Sequence, residues 1–217
     1  MALRLKLSKL PIVVLNRHTH DDHVENNWQF DAAYTMDTEF THHNAKGSKD
    51  VAQAEIAPGE ICGSLPAGFD HAAYRTRPWR ESIGLHESAR IDLGGRILGV
   101  IATRGHTPDS IFLFDRANRL LFTGDTYDPG TVWLYRPETD LSVYGSPVQR
   151  IAALRPEVKL VLGAHKVPVA RQIFWTTLWS RSRKCSPDRC NQNRRVGKVT
   201  DQVGDISFLM RPPSDAR

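Results

Sequence analysis

The run His18-Thr19-His20-Asp21-Asp22-His23 constrains this chain more than any other feature of it. It follows Pro11 to Leu15, a short β-branched stretch that reads as a buried strand. In extended backbone, side chains two apart point the same way, so His18 and His20 can face one ion from a single strand end. Asp22 and His23 come next and can reach a second ion beside the first. Neutral imidazole and carboxylate are the nitrogen and oxygen ligands that zinc accepts. The bland alternative is a polar surface loop that happens to be rich in histidine.

Three further candidate ligands stand at the ends of apolar runs. Gly95 to Thr103 reads as a strand and leads into Arg104-Gly105-His106. Ile111 to Phe114 and Leu120 to Thr123 read as a hairpin around the turn Asp115 to Arg119, and the second run delivers Gly124-Asp125. Lys159 to Leu162 is a further strand, ending at Gly163-Ala164-His165. A small residue before each ligand lets the backbone turn sharply. Each has an ordinary reading alone: His106 in a turn, Asp125 as a helix cap, His165 in the core. Together they fill the ligand set of a two-metal site.

The rest of the chain is read more coarsely. Residues 24–35 are expected to be helical, with Asn26 and Asn27 weakening the start. Thr41 to Trp79 is expected to be a long loop with one short helix. Thr139 to Leu154 reads as a helix capped by Thr139, with Pro147 forcing a kink or a late start. Trp133 and Tyr135 are read first as core packing, and second as substrate determinants with Met36 to Trp79 and Arg136. Strands alternating with helices, and polar residues at strand ends, indicate an α/β layered domain with its site at a sheet edge.

The order HxHxDH, then GHT, then GDT, then a histidine after an apolar strand resembles the metallo-β-lactamase-fold hydrolases, especially their glyoxalase II-like branch. The resemblance spans about residues 11–169, and Thr200 to Arg211 extends it. It implies a four-layer αββα sandwich and two zinc ions per chain. By that resemblance His18, His20 and His106 hold one zinc, Asp22, His23 and His165 the other, and Asp125 bridges them. It further implies a metal-bridging hydroxide that attacks a carbonyl in an ester, thioester, lactone or β-lactam, with Asp22 as the catalytic carboxylate that orients it and takes its proton. Asp125 favours the glyoxalase- and lactonase-like side, because β-lactamases of the superfamily carry Cys or Ser there. Only 17 residues precede His18, where the family usually has several strands, so the expectation is a fold missing its first N-terminal strands. Asn26 and Asn27 stand where small glycines are common, and Arg104 where a proline is.

Composition bounds the alternatives. With 217 residues, 40% hydrophobic and 24% charged, the chain can afford a folded core. No apolar run approaches the roughly 18 residues of a membrane span. Three cysteines are too few and too uneven for a disulfide framework, so a reduced, cytoplasmic protein acting on a small molecule is expected. The net charge of +5 is local: residues 171–195 hold seven basic residues and one acid, and the remainder nets −1. The expected division is therefore 1–170 as the hydrolase domain and 171–217 as a basic segment with a final strand. That segment and the shared fold are the only support for a nuclease or RNA-processing reading, and a solvated tail explains the segment as well, so nucleic acid is not the expected partner. A third reading is a non-catalytic, truncated metal-binding remnant.

Overall fold

In the computed structural model the apolar runs become short strands whose partners lie far away in sequence. The structure describes residues 10–128, 130–170, 193–195, 198–203 and 206–212. The chain divides into two compact units, residues 1–85 and 86–217.

Among the described residues the first unit contains a three-stranded, all-parallel sheet. Strand β1 (Val14–Leu15) pairs with β2 (Ala33–Met36), and β2 pairs with β3 (Glu81–Leu85). Between β1 and β2 lie one helical turn, α1 (Asp21–Val24), and a 3₁₀ turn (Asn27–Gln29). The helix expected over residues 24–35 is therefore not formed. Residues Ala33–Met36 are hydrogen-bonded to strands on both sides, and three of the four are buried, so sheet pairing overrides local propensity there. Two short helices follow, α2 (Glu39–Asn44) and α3 (Lys49–Glu55), where one was expected. Both start on a cap: Thr38 Oγ1 accepts from Thr41 N–H, and Ser48 Oγ from Val51 N–H. Residues 56–80 carry no regular element. A small core of Val24, Ala33 and Trp79, with Val14 and Ala45 against it, holds the unit together.

The second unit contains a five-stranded sheet in the order β4 (Arg90–Asp92), β5 (Ile97–Ala102), β6 (Ile111–Asp115), β7 (Leu120–Gly124), β9 (Leu160–Gly163). Neighbours are antiparallel except β7 and β9, which run parallel. The β6–β7 hairpin matches the sequence reading. Its turn is pinned by Asp115, which accepts from the main-chain N–H and the amide of Asn118. A second sheet joins β8 (Thr131–Leu134) in parallel to β12 (Ile206–Met210), then β11 (Lys198–Val203) and β10 (Asn193–Arg195). Strand β12 falls within the stretch Thr200 to Arg211. Residues 171–192, with Cys185, Cys190 and most of the basic segment, lie outside the described residues.

Helix α4 (Leu141–Leu154) closes the core of this unit. Its Val148 and Ile151 pack with Phe112, Phe114, Leu121, Val161, Val132, Leu134 and Ile206. Every residue of β6 is buried, which is why Ile111 to Phe114 is a continuous apolar run rather than an alternating one. The cap is Asp140, not Thr139: Asp140 Oδ1 accepts from Ser142 N–H at 2.8 Å. Pro147 lies within the helix, which continues past it to Leu154.

Candidate metal centre

Four of the seven expected ligands belong to the first unit. Beyond β1 the chain is buried yet polar: Asn16, His18, Thr19 and His20 are all below a tenth exposed. Buried polar groups need partners, and three asparagines supply them. Asn27 Nδ2 donates to Asn16 Oδ1 at 2.8 Å, Asn16 Nδ2 to the His23 carbonyl at 3.3 Å, and Asn44 Nδ2 to the Thr19 carbonyl at 2.7 Å. Asn27, which stands where a glycine was expected, is therefore a clamp on the histidine loop. The chain then turns into α1, placing Asp22 and His23 in its single turn. The His18 ring lies 4.8 Å from that of His20, edge-on at 83°, and 4.2 Å from that of His23. Asp22 Oδ2 is 3.4 Å from His23 Nε2. Three imidazoles and one carboxylate are thus gathered just beyond β1.

The other three belong to the second unit. Strands β5 and β7 are each antiparallel to β6, and β9 is parallel to β7, so β5, β7 and β9 end at one edge of the sheet. His106 follows β5, Asp125 follows β7 and His165 follows β9, as the sequence pattern requires. His106 is held on three sides. Thr139 Oγ1 donates to its carbonyl at 3.1 Å, and Asp140 N–H donates to the carbonyl of Gly105 at 2.8 Å. Its Nδ1 lies 2.8 Å from the Trp133 carbonyl. A carbonyl only accepts, so Nδ1 carries the proton and the neutral ring keeps its lone pair at Nε2. That is the tautomer a metal ligand needs, with the kind of partner that metal-binding histidines use.

Asp125 is nearly buried, and its Oδ2 lies 2.7 Å from Nε2 of His165. Asp128, also buried, accepts the main-chain N–H of His165 at 3.1 Å. The Tyr144 hydroxyl on α4 donates to the Thr126 carbonyl, next to Asp125. Burial, with a smaller contribution from Tyr127, pushes that hydroxyl's pKa far up, so it stays a donor throughout the working pH range. A cavity of about 470 Å³ opens here, lined by Asp125, Asp128, Thr131, Trp133, His165 and Lys166. Trp133 is 40% exposed, and its indole lies nearly parallel to the His165 ring at 6.0 Å. The core reading of Trp133 is thus corrected: its strand is the cavity wall.

Sequence reasoning missed Asp128, Thr139 and the carbonyl of Trp133 as supports. Asp128 carried a faint signal, a second acid three residues after Asp125. A main-chain carbonyl carries none. The donors present, imidazole and carboxylate with a tautomer set by a carbonyl, fit zinc or a similar ion.

The family model described as Metallo-beta-lactamase superfamily matches residues 5–165. The chain is 27% identical to the acyl-coenzyme A thioesterase MBLAC2 of Bos taurus over 157 residues, covering 71% of this chain and 56% of the relative. It is 29% identical to that of Gallus gallus, with the same coverage. The chain thus spans a little over half the length of the curated relatives it matches. Among solved structures, the metallo-beta-lactamase family protein TTHA1429 from Thermus thermophilus aligns with a TM-score of 0.59 at 19% identity, covering 84% of this chain and 66% of that one. TTHA1623, crystallised in a di-iron-bound form, aligns at 0.56 and 22% identity, covering 78% of each chain. With the ligand motifs in order, the fold shared and about three quarters of the sequence matched, the chain belongs to the metallo-beta-lactamase superfamily.

Proposed function

We propose that this chain is a dinuclear zinc hydrolase acting on thioesters of small acyl carriers. In this reading His18, His20 and His106 hold one ion, Asp22, His23 and His165 the other, and Asp125 serves both. The observation that supports it is the Nδ1 hydrogen bond of His106 to the Trp133 carbonyl, which leaves Nε2 of a buried imidazole available as a donor. The thioester preference is supported by the relatives named acyl-coenzyme A thioesterase and by Asp125 in place of the Cys or Ser of β-lactamases.

Bound zinc would supply Lewis acidity and lower the pKa of water enough to make a nucleophile near neutral pH. The chain's own groups do the rest. Asp22, 44% exposed in the turn of α1, accepts the proton of the attacking water. Asp128 and the Trp133 carbonyl fix His165 and His106, so little reorganisation is needed during reaction. Trp133 offers an apolar wall to the acyl group, and the Lys166 ammonium, 3.3 Å from Thr131 Oγ1, a cation to an anionic carrier. Water adds to the carbonyl carbon, the carbon–sulfur bond breaks, and the products are a carboxylic acid and a thiol.

The test is hydrolysis of acyl-coenzyme A, a lactone and a chromogenic β-lactam by zinc-loaded protein, with released thiol trapped for the first. The expected result is thioester turnover that falls by about 10²–10⁴-fold in Asp22→Ala, the usual contribution of a positioned proton acceptor. Undiminished turnover in that variant removes the proposed role of Asp22. Two equivalents of metal bound without turnover of any of the three substrates refutes the hydrolase reading.

A further inference from the structure

The first unit carries a second group of metal-ligating side chains that the hydrolase reading does not use. Asp37 directly follows β2, His42 lies on α2, and Glu81 opens β3. One ligand atom from each lies within 4.8 Å of the others. His42 Nε2 is 3.2 Å from Asp37 Oδ1 and 3.1 Å from Glu81 Oε2. We infer that these three side chains form an accessory site for a transition-metal dication, outside the ligand set of the proposed hydrolytic centre.

Three features support the assignment. A single imidazole nitrogen faces two carboxylates, and one N–H can complete only one good hydrogen bond, whereas a cation among the three atoms satisfies all of them. The carboxylates also repel each other unless a positive charge sits between them. Second, the cluster is braced from behind. Thr35, fully buried in β2, donates its hydroxyl to the other Glu81 oxygen at 3.0 Å, leaving Oε2 turned to His42. Ligating carboxylates are typically supported by such a hydrogen bond. Third, the backbone makes room for Asp37. Its N–H donates to the Leu85 carbonyl at 3.1 Å, and a Cβ at Gly84 would stand 3.0 Å from Asp37 Cβ. The side chain therefore crosses β3 where only glycine leaves space. One imidazole with two carboxylates suits zinc, cobalt or nickel better than magnesium, and exposure leaves room for water to complete the coordination.

The site belongs wholly to residues of the first unit, so it stands or falls separately from the hydrolase reading. Zinc is titrated by calorimetry into the metal-stripped 217-residue chain, and metal per chain is counted by mass spectrometry. Wild type, His42→Ala, Glu81→Gln, Thr35→Val and Asp125→Ala are compared, with magnesium as the control ion. The inference expects His42→Ala and Glu81→Gln to lose the same single equivalent of zinc, and Asp125→Ala to keep it. Thr35→Val should weaken that equivalent by about 10–100-fold, the usual effect of losing a supporting hydrogen bond. In the Asp125→Ala protein the imidazole resonances of His42 should shift on adding zinc and not magnesium. Should His42→Ala fail to fold, Glu81→Gln keeps the shape and the acceptor for Thr35 and decides the matter. Zinc stoichiometry unchanged in Glu81→Gln, or His42 resonances unmoved by zinc, shows that the cluster is an ion pair and ends the proposal.

Discussion

Gly105 is the position where one added methyl group should damage fold and site together. Its φ is +136°, which L side chains rarely adopt, and it immediately precedes His106. A Cβ there would lie 2.6 Å from Tyr144 Cα and 2.8 Å from Tyr144 Cβ. Ordinary carbon–carbon contact is about 3.5–4.0 Å, so the loop or α4 must retreat by roughly 1 Å. Overpacking of that kind costs about 1–3 kcal/mol, and the strained backbone about 1–3 kcal/mol more. The sum for Gly105→Ala is therefore about 2–6 kcal/mol, a large share of the 5–15 kcal/mol that holds a typical domain together. At about 2–4 °C per kcal/mol for a chain of this size, melting should drop by roughly 5–20 °C. Shifting His106 by about 1 Å should also cost about 100-fold in thioester turnover. Thermal melting by circular dichroism and the thiol-release assay, run at a temperature where the variant is folded, measure the two effects. Gly105→Ala/Tyr144→Ala should not recover, because the shortest clash is with the Tyr144 main chain. A Gly105→Ala melting point within about 2 °C of wild type would refute the steric argument.

Other outcomes follow from the supports around the site. Trp133→Ala keeps the carbonyl that holds His106 but removes the cavity wall, so KM for long-chain thioesters should rise while metal content stays at the wild-type value. Equal KM values for short and long chains would exclude Trp133 from acyl recognition. Burial pushes the Asp115 carboxyl up, but the Asn118 side chain and N–H and the Arg96 guanidinium outweigh it and hold its pKa below the usual range. Its stabilising contribution is then complete above an unfolded pKa of about 3.9 and is lost as pH falls through the lower folded value. Denaturant titrations from pH 5 to 2 should show a shallower loss of stability in Asp115→Asn than in wild type, and parallel curves would contradict it. Tyr144→Phe leaves the Thr126 carbonyl without its hydroxyl donor and should cost about 1–3 kcal/mol in urea unfolding.

The proposed ligands stand at positions that the sequence marks for a physical reason. A metal site needs particular donor atoms at strand ends, and both requirements leave marks: apolar runs, a small residue, then His or Asp. The runs ending before His106, Asp125 and His165 are β5, β7 and β9, and the one before His18 is β1. Local reasoning failed where distant partners decide conformation. Ala33–Met36 looks helical in isolation and is a strand because β1 and β3 flank it. Glu81–Leu85 and Thr131–Leu134 left no usable signal, since each is completed by a strand from far along the chain.

The same distinction separates the proposed ligands from the groups that hold them. Thr139 has the right side chain and position for a helix cap, and sequence alone reads it so. In the fold Asp140 takes that role, and the Thr139 hydroxyl reaches back 33 residues to the His106 carbonyl. Asp140 joins in, sending its own N–H to Gly105. The start of α4 and the His106 loop are thereby one hydrogen-bonded structure, with Tyr144 packed against Gly105 in the first turn. A substitution at the N-terminus of α4 should consequently be felt at the ligand before it is felt in helix content. Thr139→Val removes the hydroxyl and retains the side chain's volume, so it isolates that coupling. It should lower metal affinity by about 10–100-fold with far-ultraviolet circular dichroism unchanged. If affinity and helix content instead fell in proportion, Thr139 would be acting as a cap, and the link between helix and ligand would not exist.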